Sequence, residues 1–307
     1  MLTTKKINAH LTWVSLQDAT DDERKKVAQQ EKIMTTMMDF AKDDYERPRI
    51  VYNRENRNCL LIFDILRDGK ISDDEPTTPL AMILNANNII TFTRSDTTYI
   101  DQWLTQFIQR SPHPEKLQAF DLMLHVLYLA ASRYFDALNE IRQRRKSIED
   151  QLENRSPKKG IRELMNLENK IVHLLTALKA DNVLVNDLKR FSRKHLQLSE
   201  IQQDNLNDVQ VKTSQGAEMA QLASTVIDHV AAAYNNTLNN NLNSTMKFLT
   251  VYSLILAIPT LVFSFFSQAL HVPFRGLSNG WLVSVSIALI AIGFIVWFLR
   301  KNHFIGH

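Results

Sequence analysis

Apolar residues crowd into two places near the C-terminus of this chain. Phe248–Phe266 and Trp281–Leu299 are uncharged runs of about 19 residues each. At ~1.5 Å per residue each gives roughly 28 Å of α-helix, the thickness of a bilayer's hydrocarbon core. Only Ser267–Gly280 separates them, so the pattern predicts two antiparallel membrane helices after about 245 residues of polar chain.

The polar part changes character along its length. Residues 1–112 read as a mixed α/β region, with β-rich runs at Leu11–Leu16, Arg49–Tyr52, Leu60–Leu66, Leu80–Leu84 and Ile89–Phe92. Turn-forming clusters such as Arg67–Gly69 and Asn85–Asn88 divide them. A charged stretch, Asp21–Lys42, reads as one helix opened by Thr20 as N-cap, with Glu23 three residues on as in a capping box. These elements predict a small sheet with helices packed on it.

From residue 113 the chain is predicted helical. Glu115–Asn154 and Ile161–Leu198 form a helical hairpin (113–204) about the turn signal Ser156–Gly160. No proline occurs between Pro157 and Pro259, so a stalk helix (205–266) runs from near Asn205 into the first span. A helix that long outside a large core needs neighbours, which predicts bundling between subunits. An outer loop (267–280), the second span (281–299) and a basic tail (300–307) complete the order. The fold class is thus an α+β cytoplasmic domain, a long stalk helix and two C-terminal transmembrane helices.

The first span carries a polar stripe. Asn243, Met246, Thr250, Ser253, Ala257, Thr260, Ser264 and Ser267 recur at steps of three and four. At ~100° per residue they stay within an arc of about 120°. Close packing of membrane helices through small residues explains such a stripe. So does a hydrated pore built from several copies of the chain. The second span has only Ser284, Ser286 and Gly293, and reads as an outer, lipid-facing helix, which favours the pore. In that reading Met246, Leu249 and the Ala257–Ile258 level are apolar constrictions. Asn239 and Asn243, from an asparagine-rich stretch below the membrane, share the stripe's face.

Charge orients the hairpin. Lys247 precedes the first span and Arg300, Lys301 and His303 follow the second, whereas the loop carries only His271 and Arg275. The positive-inside rule places both termini in the cytoplasm of a multi-pass cell-membrane protein. The single Cys59 excludes an internal disulfide, and the start MLTTKKINAH has no apolar core of signal-peptide length. A net charge of +3, spread among acidic residues, gives no footprint for nucleic acid. The basic run Arg142–Lys146 reads as a solvated helix face. Phosphate-loop, dinucleotide, zinc-protease and paired-cysteine motifs are all absent from the sequence, so no enzyme is predicted.

These residues resemble the CorA-type magnesium transporter family over nearly the whole chain. The likeness runs through Trp13-Val-Ser-Leu, Asp18–Glu23, Thr78-Pro-Leu-Ala-Met-Ile-Leu and Ile89-Ile-Thr-Phe-Thr. It is closest at Tyr234, Asn243-Ser-Thr-Met-Lys-Phe-Leu-Thr and Pro259. The resemblance implies a funnel-shaped homopentamer whose stalk helices line the pore, with Mg²⁺ or another divalent cation as transported and regulatory ion. It also implies a regulatory cation site at Asp208, in Asn207-Asp-Val, shared with a neighbouring subunit. Asp68, Asp73, Asp74 and Glu75, a compact acidic loop, are the candidate partners.

One departure stands out. Where the family carries Gly-Met-Asn at the outer mouth, this chain has Ser267 followed by Gln268, Ala269 and Leu270, and its loop contains no acid. A hydrated Mg²⁺ loses there both a docking amide and an attracting charge. The expected function is passive conduction of cations, divalent on the resemblance. A pore for a monovalent ion or an anion, and a non-conducting membrane-anchored scaffold or sensor, are the alternatives.

Overall fold

A computed structural model describes residues 1–68, 75–154, 157–268 and 280–301. The chain divides into two compact units, Met1–Ala231 and Ala232–His307.

The first unit is built on a six-stranded sheet of order β1-β2-β6-β5-β4-β3. The strands are β1 (Leu2–Lys6), β2 (Thr12–Gln17), β3 (Arg49–Asn53), β4 (Asn58–Leu66), β5 (Thr77–Leu84) and β6 (Asn88–Thr93). Only β2 and β6 pair in parallel; the other neighbours are antiparallel. Alternation along β4 sends its side chains to two cores. Leu60 and Ile62 pack with Val27 of α1 (Asp21–Gln30) and Met37 and Met38 of α2 (Thr35–Lys42). Leu61, Phe63 and Ile65 pack with α3 (Tyr99–Arg110), α4 (Ala119–Asn154) and α5 (Pro157–His195). Helices cover both faces of the sheet, which is why its strands read as near-continuous apolar runs.

The expected single helix Asp21–Lys42 is two helices. Its start is as predicted: Thr20 Oγ1 accepts the Glu23 N–H at 3.3 Å, and Glu23 Oε2 accepts the Thr20 N–H at 2.9 Å. It stops because Lys32 takes a left-handed φ of 53° and the Ile33 N–H reaches back to the Ala28 carbonyl at 2.9 Å. That is a Schellman closure with lysine in the glycine position, and it turns Ile33 into the core. Two further elements lie outside the sequence expectation. Strand β1 is an edge strand, with two lysines on a mostly exposed run and its Leu2 N–H held by Glu23 Oε1 at 3.1 Å. Helix α3 buries Tyr99, Ile100 and Leu104, an i, i+1, i+5 face.

The hairpin is α4 and α5, each slightly offset from the expected bounds, and a short 3-10 turn at Pro114–Lys116 precedes it. Helix α6 (Glu200–Gln268) follows after a short connection and continues through Pro259 without interruption. Within the first unit α6 contributes Leu206 and Val209 to the sheet-side core. Ala220 and Ile227 join Leu174 and Leu178 of α5 in a third cluster. Gly216 lets α6 approach α5, since a Cβ there would sit 3.0 Å from Leu178 Cδ2. Lys212 lies over the rings of Tyr128 and Phe135, at 5.1 and 5.0 Å from their centroids.

The second unit holds the remainder of α6 and α7 (Gly280–Lys301). Both contain windows apolar and long enough to cross a membrane. Lys301 lies 5.2 Å from the Trp297 ring centroid at the end of α7, an aromatic–cation pair of the kind found at membrane interfaces.

Candidate functional site

Every residue of the predicted stripe that is described with its side chain, from Asn243 to Ser267, is exposed. The half-buried residues of the same stretch are Val251, Ile255, Ile258, Pro259, Val262 and Phe266. Advancing ~100° per residue puts the centres of these two sets about 180° apart on the helix. The stripe is therefore the face opposite the one shielded within the C-terminal unit. Ile258 belongs to the shielded face, so of the expected constrictions Met246, Leu249 and Ala257 remain exposed. An open groove lined by Leu256, Ala257, Thr260, Leu261, Ser264 and Phe265 follows part of the stripe.

Two hydroxyls on this face have a defined polarity. Thr250 Oγ1 donates to the Met246 carbonyl at 2.8 Å, and Thr260 Oγ1 donates to the Leu256 carbonyl at 3.1 Å. Each bond spends the hydroxyl proton on the helix and leaves oxygen lone pairs as acceptors. A hydrated cation turns its water hydrogens outward, so acceptors at these two levels complement it. A hydrated anion turns water oxygens outward and gains less. No charged residue interrupts the described stripe beyond Lys247 at its entrance.

The cation site expected from the sequence is not assembled within this chain. Asp208 is exposed and lines a cavity of about 850 Å³ with Asp121, His125, Tyr128 and Gln202. Asp121 is engaged there: Oδ1 accepts from Gln202 Nε2 at 2.8 Å, and Oδ2 from the Gln118 N–H at 2.8 Å. His125 stacks on Phe107 at 4.1 Å, and burial lowers its pKa, which favours the neutral ring. Asp68 lies elsewhere, paired with Arg133 at 2.9 Å, and Arg133 in turn covers the Tyr99 ring at 3.9 Å. Glu75 pairs with Arg67 at 3.7 Å. Among the described residues no group of three or more His, Cys, Asp or Glu could hold a metal ion. Asp73, Asp74, Ala269, Leu270 and His271 lie outside the described residues, as does the side chain of Gln268. Asp121 and His125, beside Asp208, escaped the sequence reading; their i, i+4 spacing on α4 was the available signal.

Known proteins resemble the chain over nearly its whole length. The family described as "CorA-like Mg2+ transporter protein" matches residues 8–301. The cobalt/magnesium transport protein CorA of Methanocaldococcus jannaschii is 22% identical over 296 residues, covering 95% of this chain and 91% of that one. The complete structure of the M. jannaschii CorA magnesium transporter superposes with a TM-score of 0.80 at 20% identity, covering 96% of this chain and 92% of the other. The full-length CmaX protein gives a TM-score of 0.74 at 16% identity, covering 95% and 88%.

Proposed function

The chain belongs to the CorA-like Mg2+ transporter family, and from that premise we propose that it passes hydrated divalent cations, Mg²⁺ or a similar ion, passively across a cell membrane. Five copies form a ring, α6 lines the axis, and α7 lies outside it. Both termini are cytoplasmic, with residues 1–112, 113–204 and 205–266 as the α/β domain, helical hairpin and stalk. The observation that carries the reading is the exposed hydroxyl stripe, which faces away from the half-buried side of α6 and presents acceptors to a hydrated ion. Met246, Leu249 and Ala257 narrow the path between polar levels. A relative matched over 95% of this chain bears the name of a cobalt/magnesium transport protein, which supports a divalent substrate.

Asp208 and the acidic loop that includes Asp68 belong, in this reading, to a regulatory site formed between neighbouring subunits, closing the ring when a divalent cation binds. Mg²⁺ keeps several waters and takes one or two carboxylates, so one Asp from each side suffices.

Purified protein in liposomes tests the transport claim. Downhill entry of at least one of Mg²⁺, Co²⁺, Ni²⁺ or Zn²⁺ is expected, without an added energy source. Absence of flux for all four at several pH values refutes it. The missing Gly-Met-Asn and the acid-free segment Ser267–Gly280 favour a second reading, a pore with altered selectivity. Reversal potentials in planar bilayers separate divalent, monovalent and anionic current.

A further inference from the structure

A cavity of about 930 Å³ opens at one end of the sheet, between the β3–β4 turn and helices α4 and α5. The transport reading uses none of its residues. Its wall is aromatic: the Tyr52 ring lies 5.1 Å from Phe191 and 5.2 Å from His195, and Phe191 stacks on His195 at 4.9 Å. Its floor is apolar, formed by Leu84, Met123 and Leu188. Its rim is cationic, with exposed Arg57 and Lys116, and His10 and His195 lie in the same lining. The one acid in the lining, Glu115, is engaged by His113 at 3.1 Å.

Arg57 adds a second, independent sign. It adopts a left-handed φ of 54° in the turn closed by Asn53 and Asn58, a conformation that favours glycine or asparagine. A charged side chain stands where backbone preference asks for a small one. The asparagine amides in the lining are engaged: Asn8 Nδ2 donates to the carbonyls of Pro114 and Leu117, and Asn85 Oδ1 accepts the N–H groups of Asn87 and Asn88. The cavity offers ring surface and positive charge.

We propose that this cavity binds a small organic anion with a planar aromatic body, of the size and chemistry of a nucleoside monophosphate. The base lies against the aromatic wall, where ring faces attract without demanding a hydrogen-bond code. The phosphate meets Arg57, whose planar fork matches its oxygens, and Lys116. The volume lies within the roughly 300–1,000 Å³ of typical small-molecule sites.

Equilibrium dialysis of the full-length detergent-solubilised protein against radiolabelled AMP, in EDTA to remove divalent cations, tests this. AMP is expected to bind at one site per chain, with adenosine and inorganic phosphate each about tenfold weaker or more. Arg57→Asn keeps the left-handed turn and removes the charge, and Lys116→Gln removes the second cation. Each should weaken AMP binding about fivefold or more at an unchanged unfolding temperature. No AMP binding, AMP binding indifferent to both variants, or phosphate binding as tightly as AMP overturns the proposal. None of these outcomes touches the flux assay, which probes different residues.

Discussion

Asp181 on α5 accepts the backbone N–H of Asp64 on β4 at 2.9 Å, and does so with no solvent exposure. The Tyr134 hydroxyl donates to the carbonyl of the same Asp64 at 3.1 Å. Asp64 stands opposite Pro79 on β5, and the β3 pairing stops at Ile62, so helix side chains satisfy strand groups there. This polar clasp fixes the helical hairpin on the sheet. Burial drives the Asp181 carboxyl well above the usual range, with Asp64 adding to the effect, and so favours its neutral form. Burial likewise raises Asp64 from 3.8 to about 6.

The pH dependence follows from those directions. In the folded chain both acids hold protons more tightly than in the unfolded one, so their contribution to stability is complete below about pH 4. It is lost as pH rises through the folded values, for Asp64 between 3.8 and about 6. Asp181→Asn keeps an oxygen for the Asp64 N–H and cannot ionise. Thermal unfolding should show this variant gaining on the natural chain as pH rises from 4 to 8 (about 4 units of titration range). Asp181→Ala, which orphans the N–H, should cost about 1–3 kcal/mol at every pH. A constant gap between Asp181→Asn and the natural chain contradicts the assignment.

The parallel pairing of β2 with β6 carries a buried bond, from Trp13 Nε1 to Thr91 Oγ1 at 3.0 Å. Thr91→Val leaves the indole N–H without an acceptor and should cost about 1–3 kcal/mol. In the Trp13→Phe background the same change should cost clearly less, because the donor is already gone. Denaturant titrations of the two single variants and the double variant measure that coupling.

Much of this fold was legible from residue pattern. Apolar runs marked β2 to β6, Thr20 and Glu23 marked the start of α1, and the absence of proline marked the long helices. What escaped lacked a local signal or depended on tertiary context. Lys32 closes α1 without the glycine that usually announces such an end. β1 is polar and mostly exposed, held by pairing with β2, by Glu23 and by the apolar side chain of Leu2 against the core. The stripe was readable because helical geometry alone sets which residues share a face. The cation site expected at Asp208 is not assembled within this chain, where Asp208 and Asp68 lie in different surroundings.

Thiol chemistry separates an aqueous stripe from a lipid-facing one. Cys59 is half-buried and its thiol is pushed up to about 12, so the natural chain should resist charged thiol reagents at neutral pH. In membranes, Thr250→Cys and Ser264→Cys should react, whereas Ile255→Cys and Val262→Cys on the shielded face should stay unmodified. Equal reactivity of both faces contradicts the assignment.

If Asp208 helps bind a regulatory cation between subunits, millimolar Mg²⁺ should slow proteolysis of the natural protein. Asp208→Asn should reduce that protection about tenfold in Mg²⁺ concentration. Arg133→Met, which frees Asp68 from its ion pair, should shift it the other way. Identical Mg²⁺ dependence in all three proteins contradicts a role for these carboxylates.

The central claim is that ions travel along the hydroxyl face of α6, and one rate tests it: Co²⁺ entry into liposomes carrying the Ser264→Cys protein, before and after a bulky cationic thiol reagent. Entry that stops on modification, and returns when a reductant removes the adduct, is the predicted result. Entry that continues at full rate through completely modified protein contradicts it.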